Sequence, residues 1–169
     1  MEEAILSYVR YIDRTKAYYQ AEGYEKPYQW ANHETVPFAP LKKPLAESRI
    51  ALVSTSEIAS RLWEDQRLPQ EKGEASNVYG VASDTPVPDL YSRTHSYDMN
   101  ATTLDDVNSY FPVTRLQELV AEGRISSLAP TAYGVYNAYS QSKTNDEDAP
   151  EVLRGCLEQE VDVALLVPV

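Results

Sequence analysis

Two short, continuously apolar runs constrain this fold more than any other feature. They are "RIALVST", residues 49–55, and "VDVALLVPV", residues 161–169. Both are rich in Val, Ile and Leu and too short for an independent helix. Neither shows the polar alternation of a strand with one wet face. Runs of this kind are strands buried on both sides, and such strands occur where helices cover a parallel sheet above and below. "VYGVAS", residues 78–83, and "ISSLAP", residues 125–130, read as two weaker strands.

The segments between them supply the helices. In "FPVTRLQELVAEG", Pro112 sits at the first turn, Leu116, Leu119 and Val120 share a face, and Gly123 closes the helix. "APEVLRGCLEQEV" carries Asp148 as candidate N-cap and Pro150 in its first turn. "SEIASRLWED" reads as a short helix capped by Ser56. "TAYGVYNAYSQSKTNDED", residues 131–148, reads as a long polar and aromatic loop. Helices alternating with apolar strands predict an α/β domain. Its sheet is open, mainly parallel, of about four strands with flanking helices, in the doubly wound, flavodoxin-like manner.

Ahead of this domain the pattern changes. Residues 3–21 place Ile5, Tyr8, Val9, Ile12 and Tyr19 near helical spacing, and Gly23 follows as a stop. Residues 24–44 contain Pro27, Pro37, Pro40 and Pro44, which forbid regular structure. Trp30 and Phe38 favour an extended arm docked on a surface over a free linker. The organisation expected is therefore a helix and arm over residues 1–44 and an α/β domain over residues 45–169, incomplete at its C-terminus.

Composition narrows the function classes. The formal net charge is -11. This argues against nucleic acid, whose phosphates need clustered Lys and Arg, and against anionic membrane surfaces. No apolar run approaches a membrane span, and the acidic, amphipathic start lacks the pattern of a signal peptide, so a cytoplasmic protein is expected. One cysteine, Cys156, excludes an internal disulfide and a CxxC motif. With only His33 and His95, no multi-histidine metal site is expected. No G-x-G-x-x-G follows the first strand, so a dinucleotide site has no support.

The densest polar stretch is "THSYDMNATTLDDVN", which offers His95, Tyr97, Asp98, Asp105, Asp106 and Asn108, with Arg115 soon after. His95 has the chemistry of a proton donor or acceptor near neutral pH, and Arg115 that of a carboxylate clamp. The structural alternatives stay open. Asp105, Asp106 and Asn108 suit the capping of a helix, and Arg115 suits pairing with Glu118 or Glu122. Tyr133, Tyr136 and Tyr139 line a pocket or cover the end of the core. Cys156 has Leu153 and Leu157 as helical neighbours and reads as a buried, inert thiol.

Several stretches together resemble one family. "PLKKPLAESRIALVSTS", "SDTP", "DDVNSYFPVTRLQELVAEGRISSLAP", "YG" at Tyr133 and Gly134, and the closing "VDVALLVP" are similar, in order, to the B-type selenoprotein subunits of glycine, sarcosine, betaine and D-proline reductases. The resemblance runs collinearly from Pro40 to Val169. It implies reductive cleavage of a carbon–nitrogen bond by a selenocysteine or cysteine that follows the strand resembling "DVALLVPV". It also implies a partner subunit carrying a pyruvoyl group and a small redox carrier protein. The reactive residue would follow Val169, so this chain by itself is expected to be inactive. No cofactor is expected in the chain. The resemblance makes His95, Asp106, Asn108, Arg115 and Tyr133 the substrate-pocket candidates. Ala132 departs from the family, whose members often carry a histidine there. A homo-oligomer is expected from the open apolar edge of the last strand. The alternative is a non-catalytic protein of the same fold that binds a small molecule or assembles with a partner.

Overall fold

The computed structural model describes residues 10–26, 34–36, 39–65, 67, 68, 71, 76–95, 97, 100 and 102–169. The chain divides into two compact units, residues 1–38 and 39–169. In the first, helix α1 spans Tyr11–Ala21 and ends ahead of Gly23, whose φ of 88° is the left-handed turn a glycine adopts without strain. Its Arg10 and Asp13 pair at 2.7 Å, and Tyr19 meets Tyr18 and Tyr24 edge to face. Ile5, Tyr8, Val9, Trp30 and Phe38, named above for the helix and the arm, lie outside the described residues.

The second unit is an α/β domain built on a mixed sheet. Strand β1, Arg49–Ser54, is its centre. On one side β1 pairs in parallel first with β5, Ser127–Leu128, and then with β6, Thr131–Val135. These two are one strand interrupted at Ala129 and Pro130, because proline has no N–H to give the ladder. On its other side β1 pairs in parallel with β7, Val163–Val167, over five residues from Ile50↔Val163 to Ser54↔Val167. Strand β3, Val78–Ala82, completes the sheet beyond β6. It runs antiparallel, with Val78 opposite Val135 and Ala82 opposite Thr131. Among the described strands, three pairings in this sheet are parallel and this one is antiparallel, so the sheet is mixed.

The segment expected to be a helix after Ser56 is also different. Ile58–Ser60 is a strand, β2, paired antiparallel with β4, Leu90–Ser92. Ser56 caps nothing. Its hydroxyl lies 2.8 Å from that of Ser54, and the next residue, Glu57, has a φ of 50°. A left-handed residue at that point prevents a helix from starting.

Alternate residues of β1 face opposite layers. Ile50 and Leu52 join the main core with Phe111, Val113 and Leu116. The last two belong to helix α2, Val113–Ala121, which Gly123 closes at a φ of 69°. Ala51 points the other way, to Ala129 and Cys156. Cys156 is on helix α4, Ala149–Glu158, which continues a short turn α3, Gln141–Lys143, through a π-helical turn at Thr144–Asp148. The helices α2 and α4 therefore cover opposite faces. Asp148 lies inside this continuous helix, so it is not the expected N-cap. Its buried carboxylate accepts from Asn77 Nδ2 at 3.1 Å instead. Among the described residues, no helix is long and apolar enough to cross a membrane.

Candidate functional site

In a sheet of parallel strands, ligand sites gather at the carboxyl ends. Here that edge is formed by the ends of β1, β6 and β7 and by the start of the antiparallel β3. Ser54 closes β1. Its Oγ lies 2.8 Å from both the Tyr110 carbonyl and Ser56 Oγ, and it accepts the Ser56 N–H at 3.2 Å. A hydroxyl has one proton to give. The carbonyl can only accept, so Ser54 donates to Tyr110 and Ser56 donates to Ser54. This buried pair sets the turn that presents Glu57. The Arg93 N–H donates to the Glu57 carbonyl at 3.1 Å, and the Thr94 N–H to Ser92 Oγ at 3.1 Å, which fixes the chain entering the polar stretch.

Tyr79 reaches this turn from β3. Its ring lies across β6 at Gly134, where a Cβ would overlap Cζ and Oη of the tyrosine. Only glycine leaves room for the ring, so the "YG" of the third-strand region has a packing reason here. Trp63 meets the same ring edge to face, with centroids 6.2 Å apart. The Tyr79 residue is 9% exposed, and among the described residues its buried hydroxyl has no hydrogen-bond partner. Burial pushes the phenol well above its usual range, and the Glu57 carboxylate adds to this. A buried unpaired hydroxyl costs about 1–3 kcal/mol.

Glu57 is half-buried, and burial raises its carboxyl above the ordinary carboxylate value. His95 opposes that shift, Glu71 adds to it and Arg93 opposes it. Arg93 donates to Glu71 Oε1 at 2.6 Å, across β4 and the loop before β3. Glu57, Glu71, Arg93 and His95 thus influence one another electrostatically near the β1–β2 turn, with Arg93 and Glu71 paired. Of these, the sequence reading singled out His95 alone.

The remaining pocket candidates make bonds of their own. Asp106 accepts the Asn108 N–H at 2.9 Å, and Asn108 Oδ1 accepts the Thr114 N–H at 3.2 Å. The two residues shape the turn Val107–Ser109 and feed the start of α2. Arg115 is exposed on α2 and pairs with Glu118 at 2.9 Å. Tyr133 stands on β6, a strand rather than the expected loop, and faces α4. There its hydroxyl accepts from Gln159 Nε2 at 2.7 Å, and Gly155 makes room for it. Gln159 Oε1 also accepts the Thr131 N–H at 2.7 Å, so Gln159 clips α4 to β6. Tyr133 and Tyr79 belong to opposite faces. The structure brings Asp106 and Asn108 together at the start of α2 and places Tyr133 on the face that carries α4. Ala132 is fully buried in the main core, where a histidine would sit among apolar groups. Asp98 lies outside the described residues.

On the face carrying α4, an apolar groove of about 610 Å³ runs between the helix and β7. Val53, Val152, Cys156, Ala164 and Leu166 contribute to its lining. Leu166 is 67% exposed and Leu153 is 58% exposed. Cys156, the one cysteine, is buried, and burial raises its thiol above the usual value. That is the reverse of what a thiolate nucleophile needs. Beyond β7, the Val169 N–H donates to Thr55 Oγ1 at 2.9 Å, which holds the strand tip against the end of β1. Among the described residues, no group of His, Cys, Asp and Glu is arranged to hold a metal ion.

Comparison with known proteins finds no matching family model and no matching solved structure. It does find the D-proline reductase subunit gamma of Acetoanaerobium sticklandii, 29% identical over 130 residues. That match covers 76% of this chain and 52% of the relative, so the chain spans about half the relative's length. The chain is thus distantly similar to a reductase subunit, and its residues 39–169 form an α/β domain on a mixed sheet.

Proposed function

We propose that this chain serves as the B-type α/β portion of an amino-acid reductase that cleaves a carbon–nitrogen bond of glycine, sarcosine, betaine or D-proline. The observation that supports this most directly is the collinear similarity to a D-proline reductase subunit over 130 residues. The geometry agrees with that reading. Helices cover both faces of the sheet, and the β7 tip is held beside Thr55 at the carboxyl edge of the parallel strands. The polar edge around His95, with Asp106, Asn108, Arg115 and Tyr133 as further candidates, offers side chains for substrate. The chain's own residues supply no activated thiol, because Cys156 is buried with a raised pKa. The chemistry therefore belongs to the assembly: a pyruvoyl-bearing partner subunit to capture the amine and a small redox carrier to supply electrons. The purified chain, incubated with each of the four substrates and a dithiol reductant, is expected to show no substrate-dependent turnover. Turnover by the chain alone would overturn this division of labour.

A second reading is favoured by the exposed apolar groove. In it the chain is a non-catalytic assembly protein whose copies join along β7. Among the described residues nothing pairs with the outer edge of β7, and an open strand edge is a template for another strand. Light scattering separates the two forms: a dimer or larger assembly is expected, and a strict monomer at high concentration contradicts it.

A further inference from the structure

We propose that the groove between α4 and β7 binds a neutral aliphatic molecule carrying one hydroxyl group, and that this hydroxyl donates to Asp148. The proposal does not rest on the reductase reading. The groove has the size for such a ligand. Its volume of about 610 Å³ falls within the range of about 300–1,000 Å³ usual for small-molecule sites. Val152 and Cys156 on α4 and Ala164 and Leu166 on β7 give it apolar walls. Polar residues also line it, and most are already bonded. Ser54 donates to the Tyr110 carbonyl, and Thr55 Oγ1 accepts the Val169 N–H at 2.9 Å. Asp162 holds Lys43 and the Arg49 N–H, each at 2.8 Å. Asp148 differs. It is the buried residue of the π-helical turn, 5% exposed, and it belongs to the groove lining. Among the described residues its carboxylate accepts a single hydrogen bond, from Asn77 Nδ2 to Oδ2 at 3.1 Å. Oδ1 accepts none. A buried carboxylate oxygen left without a donor is costly.

The ligand class follows from what Oδ1 lacks and what surrounds it. It lacks a donor, which a hydroxyl supplies. It does not lack a counter-charge. The Lys143 ammonium, paired with Glu147 at 2.9 Å, is held above its ordinary pKa first by Glu147, and Asp148 adds to this. A cationic ligand would leave water for apolar walls, which is unfavourable. A carboxylate would meet Asp148 as a like charge. An apolar side chain of a second copy would seal the groove and still leave Oδ1 without a donor. An aliphatic body removes the apolar walls from water, including Leu166, which is 67% exposed.

The test titrates n-octanol into the isotope-labelled full chain and follows its amide NMR signals. Heptyl methyl ether, an isomer of n-octanol without an O–H, is the control. Saturable shifts are expected at the amides of Val152, Cys156, Ala164 and Leu166. The ether is expected to bind about tenfold more weakly, the loss of one hydrogen bond to a charged group. Asp148→Asn keeps an oxygen for Asn77 and puts amide N–H donors where Oδ1 stood, so the preference for the alcohol should vanish. Ala164→Phe, at an exposed strand position, fills the groove and should abolish binding of both compounds. Circular dichroism confirms that both variants fold. The native protein alone also decides the matter: an ether that binds as tightly as the alcohol would overturn the proposal. So would an alcohol preference that persists in folded Asp148→Asn. Silence of the groove amides would overturn it too, and a dimer by light scattering in that case would mean that a second copy occupies the groove.

Discussion

Gly155→Ala puts two opposing terms of similar size at one position. Gly155 is in the interior of α4, where alanine is the better helix former by about 1 kcal/mol. In isolation the change would stabilise the helix. But the added methyl would overlap the Tyr133 hydroxyl and crowd its ring, with Cζ 2.8 Å and Cε1 3.1 Å away. Tyr133 cannot yield freely, because Gln159 Nε2 holds its hydroxyl at 2.7 Å and is itself tied to Thr131. Overpacking of this kind costs about 1–3 kcal/mol, and displacing the tyrosine gives up a hydrogen bond worth about 0.5–1.5 kcal/mol. The steric terms win by about 1–3 kcal/mol, a fall in Tm of roughly 3–10 °C for a domain of this size. Urea denaturation followed by circular dichroism measures it, with the slope unchanged. Repeating Gly155→Ala in a Tyr133→Phe background removes the nearest atom, and the penalty should shrink by about 1 kcal/mol. A Gly155→Ala protein as stable as the parent, or more stable, would refute the close approach of α4 and β6.

Three further outcomes are expected. The Cys156 thiol, buried and with a raised pKa, should react with a disulfide reagent far more slowly in the native protein than after unfolding; equal rates would place it at the surface. Glu57 has a folded-state pKa above its unfolded value, so its contribution to stability is present below about pH 4 and is lost as pH rises through the raised value. Glu57→Gln should therefore raise Tm near neutral pH, and the gain should fade on acidification; a gain that grows with acid would reverse the sign of this account. Asp106→Ala should cost about 1 kcal/mol by removing the acceptor of the Asn108 N–H, and Asp106→Ser should restore most of it; equal losses in both would mean the carboxylate charge matters for some other reason.

The elements legible from sequence were those with a clear period or a continuous apolar run. β1, β7, α2 and α4 appear where the residue patterns place them, because burial on both faces or on one stripe is written directly into residue type. β2 was hidden because "SEIAS" carries a good capping residue. Tertiary structure spends the Ser56 hydroxyl on Ser54 and turns Glu57 left-handed, and neither is a local property. β6 was hidden in "TAYGV", whose glycine and tyrosine read as loop. The glycine is there for Tyr79 and the tyrosine for Gln159, contacts that come from distant parts of the chain. The direction of β3 could not be read from its composition. The same limit applies to the site. Asp106, Asn108 and Arg115 stood out because they cluster in sequence, and local hydrogen bonds and ion pairs explain that clustering. Glu57 and Tyr79 are separated along the chain and come within electrostatic reach only when β6 pairs with both β1 and β3. The one sequence signal for them was Gly134 beside Tyr133, which records a close approach without naming the partner.

The reductase reading is tested most directly by isolating the protein from its native host under native conditions and probing whatever co-elutes with a hydrazide that labels protein-bound carbonyls. The account predicts a co-eluting, hydrazide-reactive subunit, and consumption of glycine, sarcosine, betaine or D-proline by the assembly when a dithiol is supplied. Elution without any carbonyl-bearing partner, and no consumption of any of the four, would contradict it.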